Sequence, residues 1–415
     1  MSKLLHKLAV GLKTHPYESE VPTPQEIFER ASKVILHQDT ALKQLASAIH
    51  TQLLAIENQQ KYNARWLLYD QLRTQKDKLE LSGDATRYSP PRPTGTKQPP
   101  IFLTGGTGSG KTHLVKQLCQ MFDINFIIVD STHLSPASYR GTNLVHVGKR
   151  LKAMAENDAV KLRHSVVFFD EFDKLFATDA RDQHGQYRRT LAMEMLSIIE
   201  GTAPFPTDDN ASFDSSNLLF ILGGSFAQHF RPNQSIGFTQ EIAAPSDGKK
   251  FVPTSLKSLA EFGLPDELIG RMGKIIIMSP LDHSMLTDIF LNSPISPFVQ
   301  VQTQLKRYNC KLVLADDFLD LLIKNNQKSI DQFGVRGLYQ SFTNLDQLSE
   351  ILYQAASQKD IDETRCYYLM IDDYDCFYEI DDYDEVIDPD TLAQVEHIIE
   401  LNSYRISDPD DDIPF

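Results

Sequence analysis

Gly105-Gly-Thr-Gly-Ser-Gly-Lys-Thr112 satisfies the pattern G-x-x-x-x-G-K-[ST] at every fixed position, and it constrains the fold more than any other stretch. Such a loop works only between a strand and a helix, because phosphates must sit on a helix N-terminus among outward-pointing backbone N–H groups. Both flanks are present. Ile101, Phe102 and Leu103 precede the loop, and Leu114, Val115, Leu118 and Phe122 follow at helical spacing. Further along, Val166-Val-Phe-Phe-Asp-Glu171 reads as a buried strand ending in two carboxylates. An ordinary tight turn explains the glycines but not the lysine, the threonine, the flanks and the acidic strand together. These segments predict a nucleoside-triphosphate site with ATP and Mg²⁺ as cofactors. Gly105, Gly106, Thr107, Gly108, Ser109, Gly110 and His113 would surround the phosphates. Lys111 would reach the β- and γ-phosphates, Thr112 and Asp170 would serve the metal, and Glu171 would polarise the attacking water.

With 415 residues the chain is long enough for two or three cores. Residues 360–415 hold 19 acidic and 2 basic side chains, a net of −17, against −15 for the whole chain. The remaining 359 residues therefore sum to about +2. A near-neutral body does not advertise a broad nucleic-acid-binding surface, and direct nucleic-acid binding is not expected. Nothing reads as a membrane span. The basic, mildly apolar Lys3–Leu12 stretch lacks a long apolar run and a cleavage site, so it reads as a short amphipathic helix rather than an export signal or anchor. Cys119, Cys310, Cys366 and Cys376 have no metal-ligand spacing, which suits reduced thiols and a cytoplasmic location.

Thr23-Pro-Gln-Glu26 is a capping box with proline at the first helical position. Residues 1–82 read as an N-terminal helical segment and 83–99, rich in Pro, Gly, Ser and Thr, as a linker. Residues 100–282 alternate short apolar runs (101–104, 124–129, 165–169, 218–222, 274–278) with helical segments. That alternation predicts an α/β domain whose parallel five-stranded sheet is covered by helices on both faces. From about residue 283 strand signals vanish, so 283–360 reads as a small helical domain and 361–415 as an acidic C-terminal extension. Within the extension, Ile-Asp-Asp-Tyr-Asp recurs at 371–375 and 380–384 among alternating aromatics, the pattern of an acidic hairpin. A calcium loop would need a glycine and a spaced glutamate that are missing.

From about Val21 to Gln354 the ordered motifs resemble those of ClpX-type AAA+ protein-unfolding ATPases, members of the Clp/Hsp100 family. Pro22-Thr-Pro-Gln-Glu-Ile27 and Val34-Ile-Leu-His-Gln38 resemble the family's first helix and adenine segment. Phe169-Asp-Glu-Phe-Asp-Lys174, Ile199-Glu-Gly-Thr202 and Leu219-Phe-Ile-Leu-Gly-Gly-Ser-Phe226 follow in the family's order. Phe262-Gly-Leu-Pro-Asp-Glu-Leu-Ile-Gly-Arg271 is similar to its arginine-finger block, and Gly334-Val-Arg-Gly-Leu338 to its sensor motif. The resemblance implies a P-loop ATPase with a helical lid, assembled as a homo-hexamer that unfolds protein substrates. Val34 and Ile35 would line the adenine, Arg271 would act on a neighbour's γ-phosphate, and Arg336 would contact the phosphates of its own site.

The same resemblance places Tyr139, in Ser138-Tyr-Arg-Gly141, at the aromatic pore loop, although arginine stands where valine is usual. Ile236-Gly237-Phe238 matches the tripeptide with which such motors dock on a ClpP-like peptidase. Asp410-Asp411-Asp412-Ile413-Pro414-Phe415 is similar to the C-terminal tip of bacterial single-stranded DNA-binding protein, which recruits replication and repair enzymes; a solubilising acidic tail is the plainer alternative. The tip leaves a remodelling chaperone directed to such complexes as a second function beside the protease motor. There are departures from the family: no paired Cys-x-x-Cys for an N-terminal zinc domain, extra residues over about 55–99, and His37 where glycine is usual.

Overall fold

A computed structural model describes residues 21–79, 93, 97–134, 143–156, 158–175, 191, 194–208, 211–225, 264, 266–271, 273–357, 364–371 and 376–381. The chain divides into two compact units, one of Met1–Ala31, Thr40–Gly105 and Lys111–Met278, the other of Ser32–Asp39, Gly106–Gly110 and Ser279–Phe415.

The first unit opens with helix Pro24–Ala31. Its capping box forms as expected, with Thr23 N–H donating to Glu26 Oε2 at 2.7 Å and Glu26 N–H to Thr23 Oγ1 at 3.3 Å. A helix of 41 residues, Asp39–Leu79, follows. The strands β1 (Ile101–Thr104), β2 (Phe126–Asp130), β3 (Val166–Asp170), the short pair β4 (Phe205–Asp208) and β5 (Ala211–Phe213), β6 (Leu219–Gly224) and β7 (Lys274–Ile277) come next. Five of them form the expected sheet in the order β2-β3-β6-β1-β7, and every neighbouring pair is parallel. β1, β6 and all but the last residue of β3 are buried residue by residue, which is why these runs are continuously apolar rather than alternating. Phe102, Val167, Phe169, Phe220 and Leu222 project into one core with Ile127, Leu151 and Phe205.

In the second unit, helices His283–Asn292, Pro297–Lys306, Phe318–Asn325, Val335–Thr343 and Asp346–Ala356 enclose a core centred on Phe342. Its ring meets Phe290 edge-on at 4.9 Å and Phe318 at 6.4 Å. The disappearance of strands after residue 283 is corrected here. Cys310–Leu314 is strand β8, and it pairs in parallel with β9 (Arg365–Ile371). The hairpin does form: β10 (Cys376–Asp381) runs antiparallel to β9. Cys310-Lys-Leu-Val-Leu314 is a short run lying directly after a helix, so helical spacing masked its period of two. Tyr367 and Leu369 are fully buried in this same core.

Among the described residues no helix is long and apolar enough to cross a membrane. The Lys3–Leu12 stretch, Tyr139, Ile236–Phe238 and Asp410–Phe415 lie outside the described residues.

Candidate functional site

In the first unit, helix Lys111–Met121 begins on the lysine of the glycine-rich loop. Lys111 Nζ donates to Gly105 O at 3.0 Å. Burial pushes the lysine's pKa below its ordinary value, while Asp170, Asp173 and Glu171 act in the opposite direction with smaller effect. The next residue meets the acidic strand end: Thr112 Oγ1 donates to Asp170 Oδ2. Asp170 Oδ1 accepts the Glu171 N–H at 2.9 Å, so both oxygens of this carboxylate are engaged and its orientation is set. Glu171 itself is exposed and lies at φ 51, in the left-handed region that a glutamate rarely adopts. Strain of that kind is retained where surrounding structure over-determines it, commonly at functional positions.

A hydroxyl and a carboxylate oxygen in direct contact are hard oxygen donors that suit Mg²⁺. The room for them comes from β6. A β-carbon on Gly223 would lie 2.6 Å from two ring carbons of Phe168 and 3.5 Å from Asp170 Oδ1. Sequence reading passed over Gly223, and it also passed over Asp173, whose Oδ2 accepts Ser225 Oγ at 3.2 Å. Asp173 stands just beyond Glu171 in Phe169-Asp-Glu-Phe-Asp-Lys174, which was the available signal.

Arg271 is exposed and pairs through Nη1 with Glu200 of its own chain. Its sequence-based expectation was a neighbour's phosphate, and the ion pair is the contact this chain supplies for it.

In the second unit lie the loop residues Gly106–Gly110. Gly108 and Gly110 take φ 76 and 89, as a tight phosphate-type loop demands of glycine. Thr107 is exposed and Ser109 buried, with Ser109 N–H donating to Gly106 O at 3.2 Å. Gly108 packs against the Phe333–Gly334 backbone, immediately before helix Val335–Thr343, which carries exposed Arg336 in its first turn. Val34 and Ile35 are buried in this unit. Gln38, 3 % exposed, donates to Ser109 O at 3.4 Å and so links the Val34–Ile35 segment to the loop. Nothing in the neighbouring sequence signals that link. His113 is half-buried in the first unit, one residue past Thr112.

Residues 101–233 match the model of the ATPase family associated with various cellular activities (AAA). Over most of its length the chain is similar to curated relatives named ATP-dependent Clp protease ATP-binding subunit ClpX. It is 27% identical to the one from Treponema denticola over 363 residues, 82% of this chain and 79% of the relative. It is 26% identical to ClpX 2 of Wolinella succinogenes over 372 residues, 86% of this chain and 84% of the relative. For the Borrelia duttonii protein the figures are 25% over 385 residues, 87% and 82%. A lysine-threonine phosphate loop, an aspartate oriented by that threonine, the AAA match over 101–233 and the similarity over more than four-fifths of the chain converge on an ATPase that is similar to ClpX.

Proposed function

We propose that this chain is an ATP-dependent protein unfoldase of ClpX type, working as a homo-hexamer in the cytoplasm. The observation that carries the ATPase half is the doubly held Asp170, fixed by Thr112 and by the Glu171 N–H. Thr112 and Asp170 would hold Mg²⁺, which neutralises phosphate charge when bound. Lys111, already close to three carboxylates, gives its charge to the β- and γ-phosphates. Gly105 to Gly110 and His113 surround them, and Val34 and Ile35 take the base. Glu171 orients the attacking water. Arg336 contacts the phosphates from its own chain. Arg271 leaves Glu200 and reaches a neighbour's γ-phosphate, so that hydrolysis depends on subunit geometry.

Tyr139 grips polypeptide in the pore, and Ile236-Gly237-Phe238 docks on a ClpP-like peptidase. Similarity to relatives whose name includes a Clp protease supports this reading. A second reading rests on the last six residues, Asp410-Asp-Asp-Ile-Pro-Phe415. A phenylalanine behind an aspartate run suits an apolar pocket with a basic rim, the chemistry of proteins that bind the single-stranded DNA-binding protein tail. In that reading the motor remodels such complexes without proteolysis. Incubating the protein, ATP and the ClpP of its own organism with an unfoldable fluorescent substrate tests both. ATP-dependent loss of fluorescence supports an unfoldase. Degradation that stops on Phe238→Ala selects the protease motor, and unfolding indifferent to that change selects the remodeller.

A further inference from the structure

His37 occupies φ 59, where glycine is at ease and an L side chain is not. Its imidazole is held in return. Nε2 lies 2.5 Å from Oδ2 of Asp288, on helix His283–Asn292, and Asp288 Oδ1 accepts Asn292 Nδ2 at 2.7 Å. The carboxylate is thus fixed at both oxygens. The adjacent Gln38 is tied to the residues leading into that helix. Ser279 N–H donates to Gln38 Oε1 at 2.8 Å, and Gln38 Nε2 donates to Ser279 O at 3.0 Å. Asp282, which caps the helix, is the second carboxylate whose charge reaches His37; its own pKa is lowered chiefly by the Met285 N–H and only slightly by His37.

Two consecutive side chains therefore stitch the Val34–Ile35 segment to one helix and to the residues leading into it, by different means. Gln38 uses backbone groups and is buried. His37 uses a half-exposed contact with a carboxylate that a modest motion can open. We propose that His37 and Asp288 form a clasp that holds the base segment closed on bound nucleotide and slows its release, with His37 acting as a positioning residue. This rests on the reading of Val34 and Ile35 as the base-binding segment.

The test is stopped-flow release of a fluorescent ADP analogue from the full-length protein. His37→Gly removes the clasp while relieving the backbone, so a merely structural role predicts no faster release. The clasp predicts release faster by about two- to five-fold, the range a half-exposed polar contact supports, in His37→Gly and in Asp288→Asn. The double variant is expected to be no faster than either single one. The exchanged pair His37→Asp/Asp288→His, with aspartate tolerated at the left-handed position, should restore slow release. Unchanged release in His37→Gly, or additive effects in the double variant, overturns the clasp. Equal analogue binding by the unaltered protein and Lys111→Ala would instead overturn the nucleotide-site reading beneath it.

Discussion

Gly108 of the phosphate loop and Gly334, ahead of the helix bearing Arg336, meet backbone to backbone. A β-carbon on Gly108 would fall 2.1 Å from Phe333 O, and one on Gly334 would fall 2.7 Å from Gly108 O. Both residues also have positive φ, +76 and +59. The loop and the arginine helix thus share a spacing that only glycine permits on either side.

Gly334→Ala should accordingly destabilise the protein by at least about 1–2 kcal/mol, the left-handed penalty alone, with the contact against Gly108 adding to it. Chemical denaturation reads the loss. Because the displaced neighbour is the phosphate loop, the variant should also bind ATP more weakly than a core variant destabilised by the same amount. Equal affinities would show that the glycine contact has no bearing on the loop.

Gly223→Ala pushes a methyl into Phe168 and toward Asp170. The expected cost is about 1–3 kcal/mol of overpacking, with a rise in the Mg²⁺ concentration required for ATPase activity, because Asp170 is displaced from Thr112. Adding Phe168→Leu should recover part of both. Recovery of stability without recovery of the Mg²⁺ requirement would show that Phe168, and not Asp170, carries the effect.

Lys111 supplies a pH prediction. Burial lowers its pKa, so in the folded protein the ammonium form is disfavoured relative to the unfolded chain. Its charge costs stability while pH is below the folded pKa, and the cost is relieved as pH rises from there toward the ordinary lysine value. Without nucleotide, the unaltered protein should gain stability relative to Lys111→Met as pH rises toward the ordinary lysine value, and Lys111→Met should be the more stable of the two at neutral pH. Denaturant midpoints across that range decide it. A Lys111→Met protein less stable at neutral pH would show that the three nearby carboxylates outweigh burial.

Much of this was legible because it lies in unbroken local patterns. The five parallel strands announce themselves as short apolar runs between helices, and the glycine-rich loop fixes where helix Lys111–Met121 begins. The relation of Thr112 to Asp170 was readable for the same reason, since each ends or begins an element whose position the sheet determines. Strand β8 was hidden because a five-residue strand beside helical spacing gives too few residues to display its period. Gly223, Gln38 and the Gly108–Gly334 contact were hidden for a different reason. Their meaning depends on residues brought close by the fold, and nothing in their own neighbourhoods reports the partner. His37 was visible only as an oddity. Its backbone angle and Asp288 give it a physical account.

The most direct test of the central claim is a comparison of ATP binding and phosphate release by the unaltered protein and Glu171→Gln, both with Mg²⁺. The substitution keeps the side chain's size and leaves Asp170 and Thr112 in place while removing the carboxylate proposed to orient water. The account predicts that ATP still binds and that turnover falls by about 10²–10⁴-fold, the usual contribution of a general base. Phosphate release at the unaltered rate would contradict it.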